Sequence, residues 1–290
     1  MPDDANACRL CAIDGVSGQP AEEAYQVRGF RILRCPRCRL LWTQVGRDHD
    51  PDSVYTEAYF QGKIPDGYFD YIGSEAFLKQ EYHARLSVIR AYQPQGHLLE
   101  VGCASGGFLQ EARLYYQVQG IDVSEFAVRA ARAKGLDVSC GHLETAGTLR
   151  PTYDVIVMFD TIEHLADPLS TLRAVHEHLR PSGSLFITTG DSRSILARLM
   201  RSRWRLMTPP QHLWFFDNRN IALMLERIGF AVVSSRHPWR LVPLTLIWYQ
   251  LFRGKTRPLP RALAHIVLPI NLYDTMMIIA AKKEHSEPRA

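Results

Sequence analysis

The sequence contains no uninterrupted apolar run of the roughly 18 to 20 residues that a membrane-spanning helix needs. The segment Met1 to Ala12 is polar and acidic, so the apolar core of a secretory signal peptide is missing as well. These absences predict a cytoplasmic protein. Any contact with the inner face of the membrane is then expected to be peripheral.

Cysteine is scarce, with six among 290 residues, and four of the six form two Cys-x-x-Cys pairs that are 23 residues apart. In an intracellular chain this pattern favours metal binding over disulfides. Each pair can present two thiolates to one ion, and two pairs complete a closed tetrahedral site without an open position for chemistry. We therefore predict a structural zinc in a small ribbon-like domain over residues 1–50, held by Cys8, Cys11, Cys35 and Cys38. The alternatives are four free thiols or a redox pair.

The net charge is only +4, but it is distributed unevenly. Residues 193–261 contain 13 Arg or Lys and two acidic residues, so this stretch carries about +11 and the remainder about −7. A solvated basic face is the simplest interpretation. The size of the asymmetry favours an anionic partner, such as a phosphate-bearing substrate, an acidic lipid surface or nucleic acid.

A glycine-rich turn follows the apolar run that ends at Glu100, and a helix is expected after it, from Phe108 to Tyr116. A second apolar run ends at Asp122. This order predicts a nucleoside ligand at the carboxyl edge of a parallel sheet. A dinucleotide-binding loop has glycine where Ala104 stands here. A P-loop would continue with Lys and Ser or Thr, and this chain lacks them.

The series Glu-x-Gly-x-Ala-x-Gly-Gly-Phe resembles the first motif of class I S-adenosylmethionine (SAM) methyltransferases, and further motifs extend the resemblance over residues 95–282. The resemblance implies an α/β fold, with a doubly wound, seven-stranded, mainly parallel, Rossmann-like sheet and a small amino-terminal four-cysteine zinc ribbon. It divides the chain into the ribbon at 1–50, a helical and aromatic linker at 51–94 that covers the cofactor, and a methyltransferase domain at 95–284. A hydrophobic, basic insertion is expected at about 240–270.

The resemblance also implies the residues that bind SAM. Asp122 would accept both ribose hydroxyls, and Leu143 and Glu144 would lie along the adenine. Tyr59 belongs to an aromatic Tyr-x-x-x-Tyr-Phe box over the cofactor mouth, although packing between ribbon and main domain explains that box as well. The full expected set is Tyr59, Glu100, Gly102, Cys103, Ala104, Gly106, Phe108, Asp122, Val123, Leu143, Glu144 and Asp160.

Candidates for the chemistry follow the fourth expected strand, at Asp160, Glu163 and His164. They are either architectural or ligands of a divalent metal such as Mg²⁺. The metal interpretation resembles the Glu-x-x-Glu-His of ubiquinone-pathway O-methyltransferases and small-RNA 3′-end methyltransferases, with Asp160 in place of the first glutamate. His212, in a Pro-Pro-x-His-Leu-x-Phe-Phe box, would be a fourth ligand, a general base or a structural residue.

The segments 195–205 and 241–268 combine apolar and basic residues, which suits an interfacial helix pair at a membrane, a lid over an apolar substrate, or a dimer interface. We therefore expect O-methylation of a small or lipid-linked, glycan-type acceptor that is anionic or lipophilic. The alternative is a zinc-ribbon methyltransferase of ribosomal RNA. Nucleic acid fits less well, because residues 1–50 carry seven basic and seven acidic residues. A SAM-binding scaffold without activity is a third class.

Overall fold

The structure is a computed structural model, and it describes residues 7–12, 20–46, 48–60, 75–244 and 266–283. The strands are β1 (Glu22–Val27), β2 (Phe30–Arg34), β3 (Leu41–Gln44), β4 (Gly96–Val101), β5 (Tyr116–Asp122), β6 (Val138–Cys140), β7 (Tyr153–Phe159), β8 (Leu179–Gly190), β9 (Trp214–Phe215), β10 (Phe230–Arg236), β11 (Arg240–Pro243), β12 (Val267–Ile270) and β13 (Thr275–Lys282). The α-helices are α1 (Arg9–Ala12), α2 (Glu57–Phe60), α3 (Glu75–Tyr92), α4 (Gly107–Ala112), α5 (Glu125–Ala133), α6 (Pro168–His178), α7 (Ile195–Met200) and α8 (Asn218–Ile228).

The main sheet has seven strands in the order β10-β13-β8-β7-β4-β5-β6. Strands β4 to β8 pair in parallel, whereas β13 runs antiparallel to both β8 and β10. The predicted doubly wound, mainly parallel sheet is therefore confirmed. Because parallel strands end at the same edge, the residues that follow β4, β5, β7 and β8 meet there.

Both faces of this sheet are covered, which explains the nearly continuous apolar runs of its central strands. Along β7 the side chains alternate: Ile156 and Met158 join one core cluster, and Val155 and Val157 join the other. The helix expected to reach Tyr116 ends at Ala112 instead. Tyr116 is already the first residue of β5, where it is paired with Gly96 of β4.

A second, antiparallel sheet has the order β1-β2-β3-β9. Its first three strands come from the amino-terminal segment, whereas β9 comes from the box that contains His212. The Thr43 N–H donates to the carbonyl of Leu213 at 2.8 Å, beside the pairing of Trp42 with Trp214. The ribbon's sheet is thus completed by a strand about 170 residues further along the chain.

The domain limits 1–50, 51–94 and 95–284 stay a prediction. Of the expected insertion at 240–270, only the antiparallel pair β11–β12 and its flanks belong to the described residues, and 245–265 lie outside them. Among the helices of the described ranges, none is both long enough and apolar enough to cross a membrane.

Candidate active site

A cavity of about 760 Å³ lies at the carboxyl edge of the main sheet, where the loops after β4, β5 and β7 converge. Most of the residues that the sequence nominates line it: Tyr59, Glu100, Gly102, Ala104, Asp122, Val123, Leu143, Glu144, Asp160, Glu163, His164 and His212. One cavity therefore joins the expected cofactor residues to the expected catalytic residues.

The loop after β4 needs glycine at its first position. Gly102 has φ +75°, and a Cβ there would lie 2.6 Å from two side-chain atoms of Thr161. Ala104 also adopts a left-handed conformation, at φ +47°, which costs an L-residue about 1–2 kcal/mol. Its N–H donates to Asp122 Oδ2 at 2.8 Å, so the loop keeps its path although alanine replaces the more usual glycine.

Three expected cofactor residues do not line the cavity. Cys103 and Phe108 are buried in the second core cluster, and the Phe108 ring meets the edge of Phe159 at 5.0 Å. Gly106 has φ +75°, and a Cβ there would lie 2.3 Å from Leu136. These residues shape and support the loop by packing beneath it, so their side chains are not expected to contact a ligand.

Asp122, at the end of β5, is buried and held in place by the backbone. Its Oδ2 accepts the Ala104 N–H, and its Oδ1 accepts the Ser124 N–H at 2.9 Å. Burial raises the pKa of Asp122, and these two hydrogen bonds oppose that rise. Each carboxylate oxygen can still accept a second bond, which suits a pair of ribose hydroxyls.

Glu100 is also buried, but hydrogen bonds compensate its burial less well than they do for Asp122. Only 5% of Glu100 is solvent-accessible, and its Oε2 accepts no hydrogen bond from any residue that the structure describes. Burial raises the pKa of Glu100 well above its usual value, and nearby Arg85 only partly opposes this effect. A cationic group in the cavity would restore the charge balance, and the amino group of SAM is such a group.

Arg85 and Glu81, both on α3, are functional candidates that sequence reasoning missed. The Arg85 Nη2 lies 2.5 Å from Glu81 Oε1 and 3.1 Å from Asp160 Oδ2, and its guanidinium stacks 4.4 Å from the Phe159 ring. Asp160, expected to serve cofactor or metal, is therefore an ion-pair partner of Arg85. No local motif marks an arginine on the helix before β4, so the sequence offered no signal.

The segment at 50–60 covers one side of the cavity. It is fixed to the main domain by His142, whose Nε2 lies 2.8 Å from Asp52 Oδ2, and by Ser124, whose hydroxyl donates to the Tyr55 carbonyl at 2.7 Å. Tyr59 lines the cavity and meets the edge of the Tyr55 ring at 5.3 Å. Phe60 is buried against Phe126, so the aromatic box both packs and borders the cavity.

Glu163, His164 and His212 form a cluster in the lining of the cavity, where the His164 ring lies 6.0 Å from the ring of Tyr55. One ligand atom of each lies within 4.8 Å of the others, and the two imidazole rings stand 4.6 Å apart and perpendicular. The His164 Nδ1 is 2.9 Å from the Gln211 carbonyl, which assigns the proton to Nδ1 and a lone pair to Nε2. Asp160 is not part of this cluster.

Burial keeps both histidines neutral. The pKa of His164 is lowered mainly by burial, and the pKa of His212 is lowered to about 3 by burial and by the neighbouring His164. A backbone hydrogen bond to Leu206 only partly offsets the shift of His212. Neutral imidazoles with a lone pair can accept a proton or bind a metal ion.

Arg205 also lines the cavity, close to His212. Its Nε and Nη2 bind the two oxygens of Asp274 at 2.9 and 3.0 Å, and the Trp204 indole N–H donates to the same carboxylate at 3.0 Å. Asp274 is only 2% exposed. The guanidinium is therefore locked in one orientation beside His212, and Nη1 has no protein partner among the described residues.

The four amino-terminal cysteines come together away from this cavity. The Sγ atoms of Cys8 and Cys38 are 3.5 Å apart, those of Cys11 and Cys35 are 3.7 Å apart, and all four lie within 4.8 Å. Burial, together with the neighbouring thiols, raises the pKa of Cys11 to about 12. Such a cluster can hold a metal ion, which would take the place of the thiol protons.

Comparison with known proteins shows which family this chain belongs to. Residues 45–235, more than half of the chain, match the model of a family described as Methyltransferase domain. A ubiquinone biosynthesis O-methyltransferase of Ruegeria pomeroyi is 38% identical over 100 residues, which are 32% of this chain and 40% of that protein. Another from Aeromonas salmonicida is 35% identical over 150 residues, which are 47% of this chain and 63% of that protein. The chain thus spans about half the length of these relatives.

Solved structures agree on the fold. A SAM-dependent methyltransferase from Thermotoga maritima superposes with a TM-score of 0.52 at 20% identity, over 78% of this chain and 98% of the other. The PH0226 protein of Pyrococcus horikoshii gives a TM-score of 0.51 at 16% identity, over 79% and 100%. The family match shows that the chain belongs to the methyltransferase domain family, and the order of strands and the solved structures show that it has the class I methyltransferase fold.

Proposed function

We propose that this chain transfers the methyl group of SAM to a hydroxyl oxygen of a small or lipid-linked acceptor that is lipophilic and carries negative charge. The observation that carries the proposal is the cluster of Glu163, His164 and His212, which lines the same cavity as the glycine loop. The names of the curated relatives support transfer to oxygen, although they match only part of the chain.

The cofactor half of the cavity fits SAM. Glu100 provides a carboxylate whose unsatisfied oxygen suits the amino group, Asp122 provides two oriented acceptors for the ribose, and the loop at Gly102 allows close approach of backbone. When bound, SAM supplies the methyl group on a positively charged sulfur. Arg85 lies beside Glu100 and Asp160, where it would bind the carboxylate of the same ligand.

The acceptor half supplies the groups that orient and activate a hydroxyl. In the reaction the acceptor oxygen would form a bond to the methyl carbon, the bond from that carbon to sulfur would break with its electron pair left on sulfur, and the hydroxyl proton would pass to solvent water. A histidine with a pKa near 3 is a weak base on its own. We therefore propose that His164 and His212 act as neutral ligands, with Glu163, of a divalent ion that lowers the pKa of the hydroxyl.

The three donor atoms indicate which ion the cluster would bind. Two imidazole nitrogens and one carboxylate suit a first-row transition metal, whereas Mg²⁺ prefers oxygen ligands. The expected magnesium therefore gains no support from this cluster. Arg205, held by Asp274, offers a fixed guanidinium for an acidic group on the acceptor, since Arg fits carboxylate and phosphate well.

In the ribbon we propose a structural zinc. Zinc–sulfur bonds of about 2.3 Å in a tetrahedron place sulfur atoms roughly 3.8 Å apart. The separations of 3.5 and 3.7 Å in the two cross-pairs are close to that value. Because four thiolates close the coordination sphere, this ion would stabilise the ribbon without taking part in methyl transfer.

The test uses the purified full-length protein with methyl-labelled SAM and two acceptors that share a prenyl tail and a carboxylate: a catechol and its diamine analogue. We expect label on oxygen of the catechol. His212→Ala should lower turnover by about 100-fold or more with little change in SAM affinity, and the exposed His83→Ala serves as the control. Metal content is measured in parallel, and His212→Ala should lose the transition metal while keeping zinc.

Three results would contradict the proposal. Label found on nitrogen only would assign another acceptor atom, and label in added ribosomal RNA would favour the nucleic-acid alternative. Full activity of His212→Ala would remove the cluster from the chemistry. Unchanged metal content of that variant would leave O-methylation standing but would overturn the metal centre.

A further inference from the structure

Exposed apolar side chains gather at one end of the molecule. Among the described residues, most of the large hydrophobic side chains that face solvent follow the carboxyl ends of β8 and β10 or precede β13: Ile195, Leu199, Met200, Trp239, Ile266, Leu268, Leu272 and Tyr273. Since β13 runs antiparallel to β8 and β10, its start lies at their carboxyl ends. This is the edge of the sheet at which the cavity opens.

The helix α7 shows the pattern most clearly. Ile195 and Leu199 are one turn apart and are 75% and 77% exposed. Ala197, on the opposite face, is buried in a cluster with Trp204 and with Ile32 of the ribbon. Because the inner face is fixed by this packing, the two aliphatic side chains stay on the surface. Single exposed apolar residues are ordinary on a protein surface. Several exposed apolar side chains at one end of the molecule, held there by packing, indicate an interaction surface.

The charges within residues 192–216 have one sign, and the exposed Glu22 and Glu23 of the neighbouring strand β1 are paired with Arg34 and Arg31. Arg193, Arg198, Arg201 and Arg203 are exposed, and the sequence has no acidic residue between Asp191 and Asp217. Asp191, Asp217 and Asp274, the carboxylates nearest to the surface patch in the chain, are buried. Apolar side chains rimmed by arginines are complementary to an anionic lipid surface, which offers hydrocarbon beneath a layer of phosphates.

The patch and the cavity are linked by buried residues at this edge of the sheet. Asp191 joins the parts of the patch: the Asp191 N–H donates to the Asp274 carbonyl, and its Oδ2 lies 3.0 Å from the His237 Nε2, two residues before Trp239. Asp274 in turn holds Arg205, which lines the cavity together with Thr275. A molecule embedded in a surface under the patch would therefore lie at the same edge of the sheet as the cavity and close to Arg205.

We infer that this edge of the molecule, formed by α7 and the residues around Trp239 and Tyr273, docks on an anionic membrane and presents the cavity to acceptors dissolved in the bilayer. The arginines attract phosphates over a distance, and the apolar side chains enter the interface. This inference extends the proposed function. Membrane attachment is measured without methyl transfer, so the two can fail independently.

The experiment is flotation of the full chain with vesicles of phosphatidylcholine alone or with about 30% phosphatidylglycerol, at low and at high salt. Wild type should bind the anionic vesicles, and high salt should weaken the binding. The double variant Ile195→Asp/Leu199→Asp should lose about tenfold or more in binding. A matched double variant, Leu114→Asp/Val233→Asp, changes two exposed apolar residues away from the patch and should bind like wild type.

SAM affinity of every variant is measured as a check of folding. Absence of wild-type binding to anionic vesicles overturns the inference, and so does equal loss in the two double variants. Binding of single-stranded RNA that depends on Arg198 and Arg201 but not on Ile195 would assign the basic face to nucleic acid instead, since RNA is attracted by charge alone.

Discussion

Glu100 and Asp122 lie at the carboxyl ends of neighbouring strands and are both buried, but they differ in the hydrogen bonds that they accept. Asp122 accepts two backbone N–H groups, whereas Glu100 Oε2 accepts none from the described residues. Burial raises the pKa of each, and for Glu100 the rise is large. A buried carboxylate of this kind would be stabilised by a cation that arrives with the ligand, so Glu100 is a candidate for electrostatic recognition of the cofactor.

At the residue scale, Glu100→Gln should weaken SAM binding by about 10- to 100-fold, because a charge-assisted bond of roughly 1.5–3 kcal/mol is lost. The ligand's amino group favours the ionised form of Glu100. SAM affinity of the wild type should therefore fall as the pH drops through the raised pKa of Glu100, and binding near that pKa should release a proton. Calorimetry in buffers of different ionisation enthalpy measures both effects.

Glu226→Gln, on the exposed side of α8, is the control for this prediction. If Glu100→Gln showed the same pH profile of SAM affinity as the wild type, the assignment would be contradicted.

At the scale of elements, the strand β9 connects two parts of the molecule. It pairs with β3 of the ribbon, and the residues just before it carry His212 into the cavity. The Thr43 hydroxyl donates to the His212 carbonyl at 2.7 Å, and the Trp214 indole donates to the Leu165 carbonyl at 2.7 Å. The ribbon thus helps to position His212, a candidate catalytic residue, because its strand β3 pairs with β9, the strand that follows His212.

Thr43→Val tests this positioning, since valine keeps the shape and removes the hydroxyl. The half-buried His212 carbonyl would lose its partner, at a cost of about 1–3 kcal/mol in the free energy of unfolding. We expect turnover to fall several-fold while SAM affinity stays unchanged, because Glu100 and Asp122 are not touched. Thermal unfolding and single-turnover rates measure the two effects. Equal losses in SAM affinity and turnover would indicate general damage rather than a shift of the His212 loop. Thr148→Val, which removes from an exposed residue a hydroxyl that is hydrogen-bonded to Ser139 outside the cavity lining, is the matched control.

At the scale of the whole molecule, the four-cysteine cluster holds together a sheet that the methyltransferase domain completes. Arg227 of α8 donates to the Leu10 carbonyl, and Arg9 donates to the Ala166 carbonyl at 3.1 Å, so the cluster is also tied directly to the main domain. A ribbon with so small a core would depend on the proposed zinc for folding. Loss of the metal is therefore expected to reach the active site through β3 and β9.

Cys11→Ser should reduce the bound zinc from one per chain to none and lower the melting temperature. Trp42 and Trp214, now buried where β3 pairs with β9, should become exposed, and their fluorescence should shift to the red. Because burial and neighbouring thiols raise the pKa of Cys11 to about 12, zinc uptake must displace protons and should strengthen as the pH rises. The exposed Cys140→Ser is the control. Retention of zinc, or of the buried tryptophan spectrum, by Cys11→Ser would contradict this role.

Much of the candidate site could be predicted where the chemistry is local. Glu100, Gly102 and Ala104 share one loop, and Asp122 ends the next strand, so their proximity follows from strand order. Glu163, His164 and His212, which the sequence nominates, also line the cavity, and their roles stay a prediction. It did not distinguish the residues that support the loop, such as Cys103 and Phe108, from those that line the cavity, because both sets share one motif.

By itself, the sequence determined the order of strands and helices, the glycine loop and the two cysteine pairs, because each depends on residues close together in the chain. Only the tertiary structure decided that Asp160 pairs with Arg85, 75 residues away, and so leaves the cluster of Glu163, His164 and His212. It also decided that Thr43 supports His212 across 169 residues. Such contacts are set by how whole elements pack and which faces they bury, and no local pattern records that information.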